Sequence, residues 1–236
     1  MSSISNDYAK DKKPLVFLHG FGCSGKTFES QVQYFKKYFT VYAPDLKGFG
    51  NNKDMPYPYD LDDYVKDLKE WLNEKGIVKP HVIAHSFGGR IAIKCSALNQ
   101  DIFDKIVLTG SAGLKPKRSF YYYYKKTKFN ILKKFVKREK LKKYYSKDYI
   151  SLSPVMKESF KLITREYLDG YLNKIKNEVF IINGEEDKET PPYTAKKLNR
   201  NIKNSGLYFI KGAGHFCFLE RQDVFNASVK EFLLGE

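Results

Sequence analysis

Cysteine is scarce in this chain. Cys23, Cys95 and Cys217 are odd in number and far apart, so they frame neither a disulfide scaffold nor a zinc site. Long apolar runs are missing as well: no stretch approaches the roughly 18 residues of a membrane span. Met1 to Asp7 lacks the apolar core of a signal peptide. There is no internal repeat. These absences point to a cytoplasmic protein with reduced thiols. Acids are short in one place above all. From Lys115 to Lys147 there are fourteen Lys or Arg and one acid, Glu139, so this stretch carries +13 of the total +15. The charge therefore belongs to one segment.

What is present is an alternation. The 236 residues suit one domain with a large core and one insertion. Short apolar runs at 15–18, 40–43, 82–84, 105–109, 179–182 and 207–210 read as buried strands. Helical patterns fill the intervals at 27–38, 61–75, 87–98 and around 194–198, and 224–233 closes the chain. Such alternation predicts right-handed crossovers and an α/β fold, a mainly parallel sheet covered on both faces. The alternation stops between about 114 and 175, which reads as a helical insertion. The expected division is a core of 1–113 and 176–236 with a strongly basic cap of 114–175.

The chemistry lies at strand ends. The run Val82-Ile83-Ala84-His85-Ser86-Phe87-Gly88-Gly89 ends a strand and opens a helix, the layout of a nucleophile elbow. The serine of such a turn is strained, so its neighbours two before and two after must be small. Ala84 and Gly88 meet that need. Two further loops follow strands: Asn183-Gly184-Glu185-Glu186-Asp187-Lys188-Glu189-Thr190-Pro191, and Lys211-Gly212-Ala213-Gly214-His215. Parallel sheets bind their ligands at these ends. The order is Ser86, Asp187, His215. A serine hydroxyl is a poor nucleophile until a base takes its proton, and a histidine held by a carboxylate is such a base.

These residues resemble the α/β-hydrolase superfamily. The resemblance runs from His19-Gly20-Phe21-Gly22 through Pro44-Asp45-Leu46-Lys47-Gly48-Phe49-Gly50 to Gly214-His215 and the last helix. One departure is Ala84, where the fuller signature has glycine. The likeness is greatest to small bacterial carboxylesterases with a helical cap, the group that includes acyl-carrier-protein methyl ester esterases. It implies a serine hydrolase of esters or thioesters working through an acyl-enzyme, with Ser86, Asp187 and His215 as catalytic residues. It also implies oxyanion donors from the backbone N–H groups of Phe21 and Phe87, and no cofactor or metal. Asp187 is preferred to Glu185 and Glu186 by the spacing from Gly184 to Pro191. His19 is expected to be structural. His81 is expected to precede its strand without a special role.

Other readings stay open. Carbon–carbon bond hydrolases and perhydrolases share the triad, and a non-enzymatic ligand sensor can retain it. Gly20 to Thr27 also satisfies the phosphate-cradling pattern G-x-x-x-x-G-K-[ST], although the later motifs then go unexplained. The basic insertion interleaves lysines with Phe120, Tyr121 to Tyr124, Phe129, Phe135, Tyr144, Tyr145 and Tyr149. It reads as a lid whose aromatics pack inward. Its charge suits an acidic carrier protein or an anionic lipid surface; nucleic acid is not expected.

Overall fold

The computed structural model describes residues 12–117 and 152–235. Much of the basic insertion lies outside them. Six strands form one sheet: β1 (Pro14–Leu18), β2 (Thr40–Tyr42), β3 (His81–His85), β4 (Ile106–Thr109), β5 (Val179–Gly184) and β6 (Ser205–Ile210). Their order is β2-β1-β3-β4-β5-β6, and every pairing is parallel. The helices are α1 (Glu29–Phe35), α2 (Leu61–Glu74), α3 (Phe87–Leu98), α4 (Pro154–Arg165), α5 (Pro192–Asn201), α6 (Cys217–Glu220) and α7 (Gln222–Leu234).

Period-two alternation sorts the strand side chains onto two faces. Val16, Leu18, Val82 and Ala84 pack with residues of α2, α3, α4 and α5. Leu15, Phe17 and Ile83 pack on the other face with Phe35 of α1, Phe218 of α6 and Phe225 of α7. Nearly every residue of α3 is buried, the signature of a helix covered all round. Local signals set the ends of the outer helices. Asp60 accepts from the backbone N–H groups of Asp62 and Asp63, while Asp63 accepts from the N–H of Asp60, a reciprocal cap at the start of α2. Ser153 caps α4 by accepting from the N–H of Met156 at 3.2 Å.

Strands leave β1 in opposite directions. The chain first runs outward to β2, then crosses back to β3 on the other side of β1. The ends of β1 and β3 therefore flank a reversal of strand order, where open parallel sheets form a crevice. His81 is a correction to the sequence reading. It is the first residue of β3, buried, and its Nδ1 accepts from the Lys105 N–H at 3.2 Å. Desolvation pushes it down to about 4. Among the described residues no helix is long and apolar enough to cross a membrane.

Candidate active site

Ser86 sits between β3 and α3 with φ 51° and ψ −106°, a conformation that side chains rarely adopt. The surroundings hold it there. Its N–H donates to the Thr109 carbonyl at 3.1 Å, and its carbonyl accepts from the Ala112 N–H at 3.1 Å. Gly88 makes the turn sterically possible. A Cβ there would lie 2.2 Å from the Leu18 carbonyl oxygen, so α3 can start this close to β1 only without a side chain. The Gly88 N–H donates to the His19 carbonyl at 3.0 Å, which ties the turn to the loop after β1.

That loop carries Phe21. Phe21 and Phe87 touch edge-on, with ring centroids 5.8 Å apart. Phe87 is the first residue of α3, so its N–H is among those that a helix leaves without an intrahelical partner, at the positive end of the helix dipole. His19 is a strut beneath the loop. Its Nδ1 bonds the Gly20 carbonyl at 2.8 Å, and its Nε2 accepts from the Leu46 N–H at 3.0 Å. Burial lowers its pKa, which suits this neutral tautomer.

Asp187 and His215 come together across the ends of β5 and β6. Asp187 Oδ2 lies 2.9 Å from His215 Nδ1. The other Asp187 oxygen accepts from the backbone N–H groups of Glu189 and Thr190, each at 2.9 Å. The Thr190 hydroxyl donates to Oδ2 at 2.7 Å. Burial pushes the Asp187 pKa up, but the hydrogen bonds from His215 and Thr190 outweigh it and hold the carboxyl below its ordinary value. Glu185 and Glu186 are exposed and make no such pair. Asn183 braces the loop: its Oδ1 accepts from the Gly110 N–H at 2.7 Å, and its amide donates to the Thr190 carbonyl at 3.3 Å.

Ser86, His215, Phe21 and Phe87 line one cavity of about 660 Å³. Phe160, Phe216, Leu152 and Ile163 make much of the remaining wall apolar. Leu152, Phe160 and Ile163 belong to the segment inserted between β4 and β5. Arg90 of α3 anchors that segment by donating to the carbonyls of Ile163 and Glu166 at 2.8 and 3.0 Å. Lys94 pairs with Glu166 and Asp62 at 2.8 and 2.7 Å. Sequence reasoning did not single out Thr190, Asn183 or Glu189. Glu189 also lines the cavity, with its carboxylate 3.4 Å from His215 Nε2.

The phosphate-loop alternative meets a physical obstacle. The Gly25 N–H, which would face a phosphate, donates to Asp45 Oδ1 at 2.8 Å. Asp45 Oδ2 accepts from the Asn51 N–H at 2.8 Å. A carboxylate already fills the anion position, and residues Gly25–Phe28 form a 3-10 turn. Among the described residues no group of three His, Cys, Asp or Glu is placed to hold a metal ion.

Family comparison agrees with this architecture. A model of the α/β-hydrolase fold matches residues 13–122, and a model described as TAP-like protein matches residues 163–235. The chain belongs to the α/β-hydrolase superfamily. One relative is the AB hydrolase superfamily protein YisY of Bacillus subtilis, 27% identical over 93% of this chain and 91% of that protein. Another is the 2-hydroxy-6-oxo-6-(2'-aminophenyl)hexa-2,4-dienoic acid hydrolase of Metapseudomonas resinovorans, 22% identical over 94% of this chain and 84% of that protein. Among solved structures, the fold is shared with a meta-cleavage product hydrolase from Pseudomonas fluorescens, with TM-score 0.73 and 24% identity over 95% of this chain and 92% of that one. It is also shared with an esterase from Exiguobacterium antarcticum, with TM-score 0.73 and 22% identity over 93% and 91%. Family and relatives support hydrolase activity.

Proposed function

We propose that the protein is a serine hydrolase that cleaves carboxylic esters or thioesters through an acyl-enzyme. The observation that carries this reading is the 2.9 Å Asp187–His215 pair opening onto the same cavity as Ser86 in its positive-φ turn. His215 takes the Ser86 proton as the hydroxyl attacks the carbonyl carbon. The carbonyl oxygen gains the negative charge and is held by the N–H groups of Phe21 and Phe87. The imidazolium, stabilised by Asp187, protonates the leaving alcohol or thiol. Water then repeats the sequence, with His215 as base, and frees the acid and Ser86. No step calls for a metal or organic cofactor.

The apolar, phenylalanine-rich wall supports an apolar acyl group. We assign residues 114–175 the role of a lid over the core of 1–113 and 176–236. The basic segment is proposed to meet an acidic carrier protein or an anionic lipid surface. A groove of about 620 Å³ lined by Lys115, Lys117, Lys196, Lys197 and Arg200 supports that placement. A cytoplasmic site of action belongs to the same proposal.

A second reading is carbon–carbon bond hydrolysis, favoured by relatives named as hydrolases of 2-hydroxy-6-oxo-dienoic acids. A panel of p-nitrophenyl esters of graded chain length, run beside a 2-hydroxy-6-oxodienoate, separates the two. Turnover of esters with a chain-length optimum supports the proposal. Turnover of the dienoate alone would replace it.

A further inference from the structure

Two of the loops at the site, those after β1 and β6, converge on a buried side chain that the proposed reaction does not consume. His85 ends β3 and is bonded directly to Ser86. It is 1% exposed. Its Nε2 lies 3.1 Å from the main-chain carbonyl oxygen of His215. A carbonyl oxygen can only accept, so Nε2 carries the proton and Nδ1 is the bare nitrogen. Nδ1 is buried with no hydrogen-bond partner. It faces the loop after β1: a Cβ on Gly20 would lie 2.8 Å from Nδ1 and 3.4 Å from the Ser86 Cβ. The His85 ring lies 4.6 Å from the His215 ring and 4.9 and 5.0 Å from those of Phe216 and Phe218, centroid to centroid.

Burial first, and then the neighbouring His215, push His85 down to about 3. It is therefore neutral at ordinary pH, and its bond to the His215 carbonyl does not titrate there. Asp187 holds only one edge of the His215 ring. That bond fixes the ring about its own axis but not the height of the main chain above Ser86. Because His85 is covalently next to Ser86, its bond measures the position of the base directly from the nucleophile.

We propose that His85 is a positioning residue, whose Nε2–H clamps the His215 carbonyl and sets the reach of the His215 imidazole toward Ser86. This rests on the serine-hydrolase reading above. A merely space-filling histidine would be replaceable by any ring of similar size, whereas a clamp needs a donor at one point.

The test compares His85→Phe, which keeps a ring, with His85→Gln, whose amide can present an N–H near the original Nε2–H. Thermal unfolding of each variant reports its folded fraction. The expected result for His85→Phe is a kcat on a p-nitrophenyl ester lowered roughly a hundredfold, the scale of a 1 Å misplacement, with KM little changed. His85→Gln restores most of kcat. A second readout needs no turnover: the proton NMR signal of the His215 Nδ1–H bonded to Asp187 is expected in the wild type and His85→Gln, and shifted or lost in His85→Phe. Folded His85→Phe with undiminished kcat and an unchanged signal would overturn the clamp. Loss of kcat in both variants in proportion to folded fraction would also overturn it. A wild type that turns over no ester, with the signal responding as expected, would sink the ester-hydrolase reading and leave the clamp standing.

Discussion

Gly88 and the Leu18 carbonyl are so close that no side chain fits between them: a Cβ on Gly88 would sit 2.2 Å from that oxygen and 2.6 Å from its carbon. This contact brings the start of α3 against the end of β1, and with it Ser86 beside the loop of Phe21. The obstruction is backbone, so a small rotation of a side chain cannot relieve it.

Gly88→Ala is therefore expected to displace either the turn or the Phe21 loop. Overpacking of this kind costs about 1–3 kcal/mol, which lowers Tm by roughly 2–10 °C in a chain of this size. Ester turnover should fall more steeply than stability, because the N–H groups of Phe21 and Phe87, the proposed oxyanion donors, both move. Gly206→Ala is the control. Its nearest neighbour would be Phe180 at 3.8 Å, and it should leave both kcat and Tm nearly unchanged.

Thr190 is the tightest side-chain support of the acid, with its hydroxyl 2.7 Å from Asp187 Oδ2. Thr190→Val keeps the shape and removes the donor. It should lower kcat about tenfold while leaving KM near its original value, since the bond steadies the partner of His215 and touches no substrate. Asp187→Asn removes the charge as well and should cost roughly ten-thousandfold in kcat, as in the serine proteases. Steady-state kinetics on one neutral ester distinguish the two. A larger loss in Thr190→Val than in Asp187→Asn would mean that Thr190 acts other than through Asp187.

Glu189 brings a carboxylate to 3.4 Å from His215 Nε2, in the cavity that Ser86 also lines. It should disfavour anionic esters at the reaction centre, whatever the basic surface does at a distance. Glu189→Gln is expected to raise kcat/KM for an anionic ester, relative to a neutral isostere, by roughly fivefold, the scale of about 1 kcal/mol between charges some 4 Å apart in water. The gain should shrink in high salt. An unchanged ratio would show that Glu189 swings clear before substrate binds.

Acid should loosen the fold before it protonates most carboxylates. Burial lowers His81 from 6.5 to about 4. A folded pKa below the unfolded one stabilises the native state above the unfolded value, and that stability is lost as pH falls toward the folded value. The window is from pH 6.5 down to about 4. Denaturant midpoints measured across it should fall with pH. His81→Asn, whose Oδ1 can still accept from Lys105, should make that slope shallower, with the remainder left by His85 and His19, which burial also lowers.

Much of the fold was legible because the signals were local. Apolar runs at 15–18 and 82–84 and glycines at 88 and 89 report directly on a strand, a turn and a helix. Ser86, Asp187 and His215 stood out because each follows a strand. Thr190, Asn183 and His85 were not legible, since their roles arise only when β3, β5 and β6 lie side by side. His81 was placed one step outside its strand because an imidazole at a strand start looks like a loop residue until Lys105 supplies its donor. The resemblance to Gly-Lys-Thr phosphate loops was a pattern without the geometry, because Asp45 occupies the Gly25 N–H. Of the segment expected to be a cap, α4 is among the described residues, and its Phe160 and Ile163 line the cavity. Residues 118–151, with most of the positive charge, lie outside the described residues.

The central claim is that Ser86 is a nucleophile activated by His215. It is tested most directly by treating the protein with a fluorophosphonate and mapping the adduct by mass spectrometry. The account predicts one adduct, on Ser86. It should be absent in Ser86→Ala and formed far more slowly in His215→Ala, with ester turnover lost in both. A protein that hydrolyses esters while Ser86 stays unlabelled, or that keeps its turnover in Ser86→Ala, would contradict it.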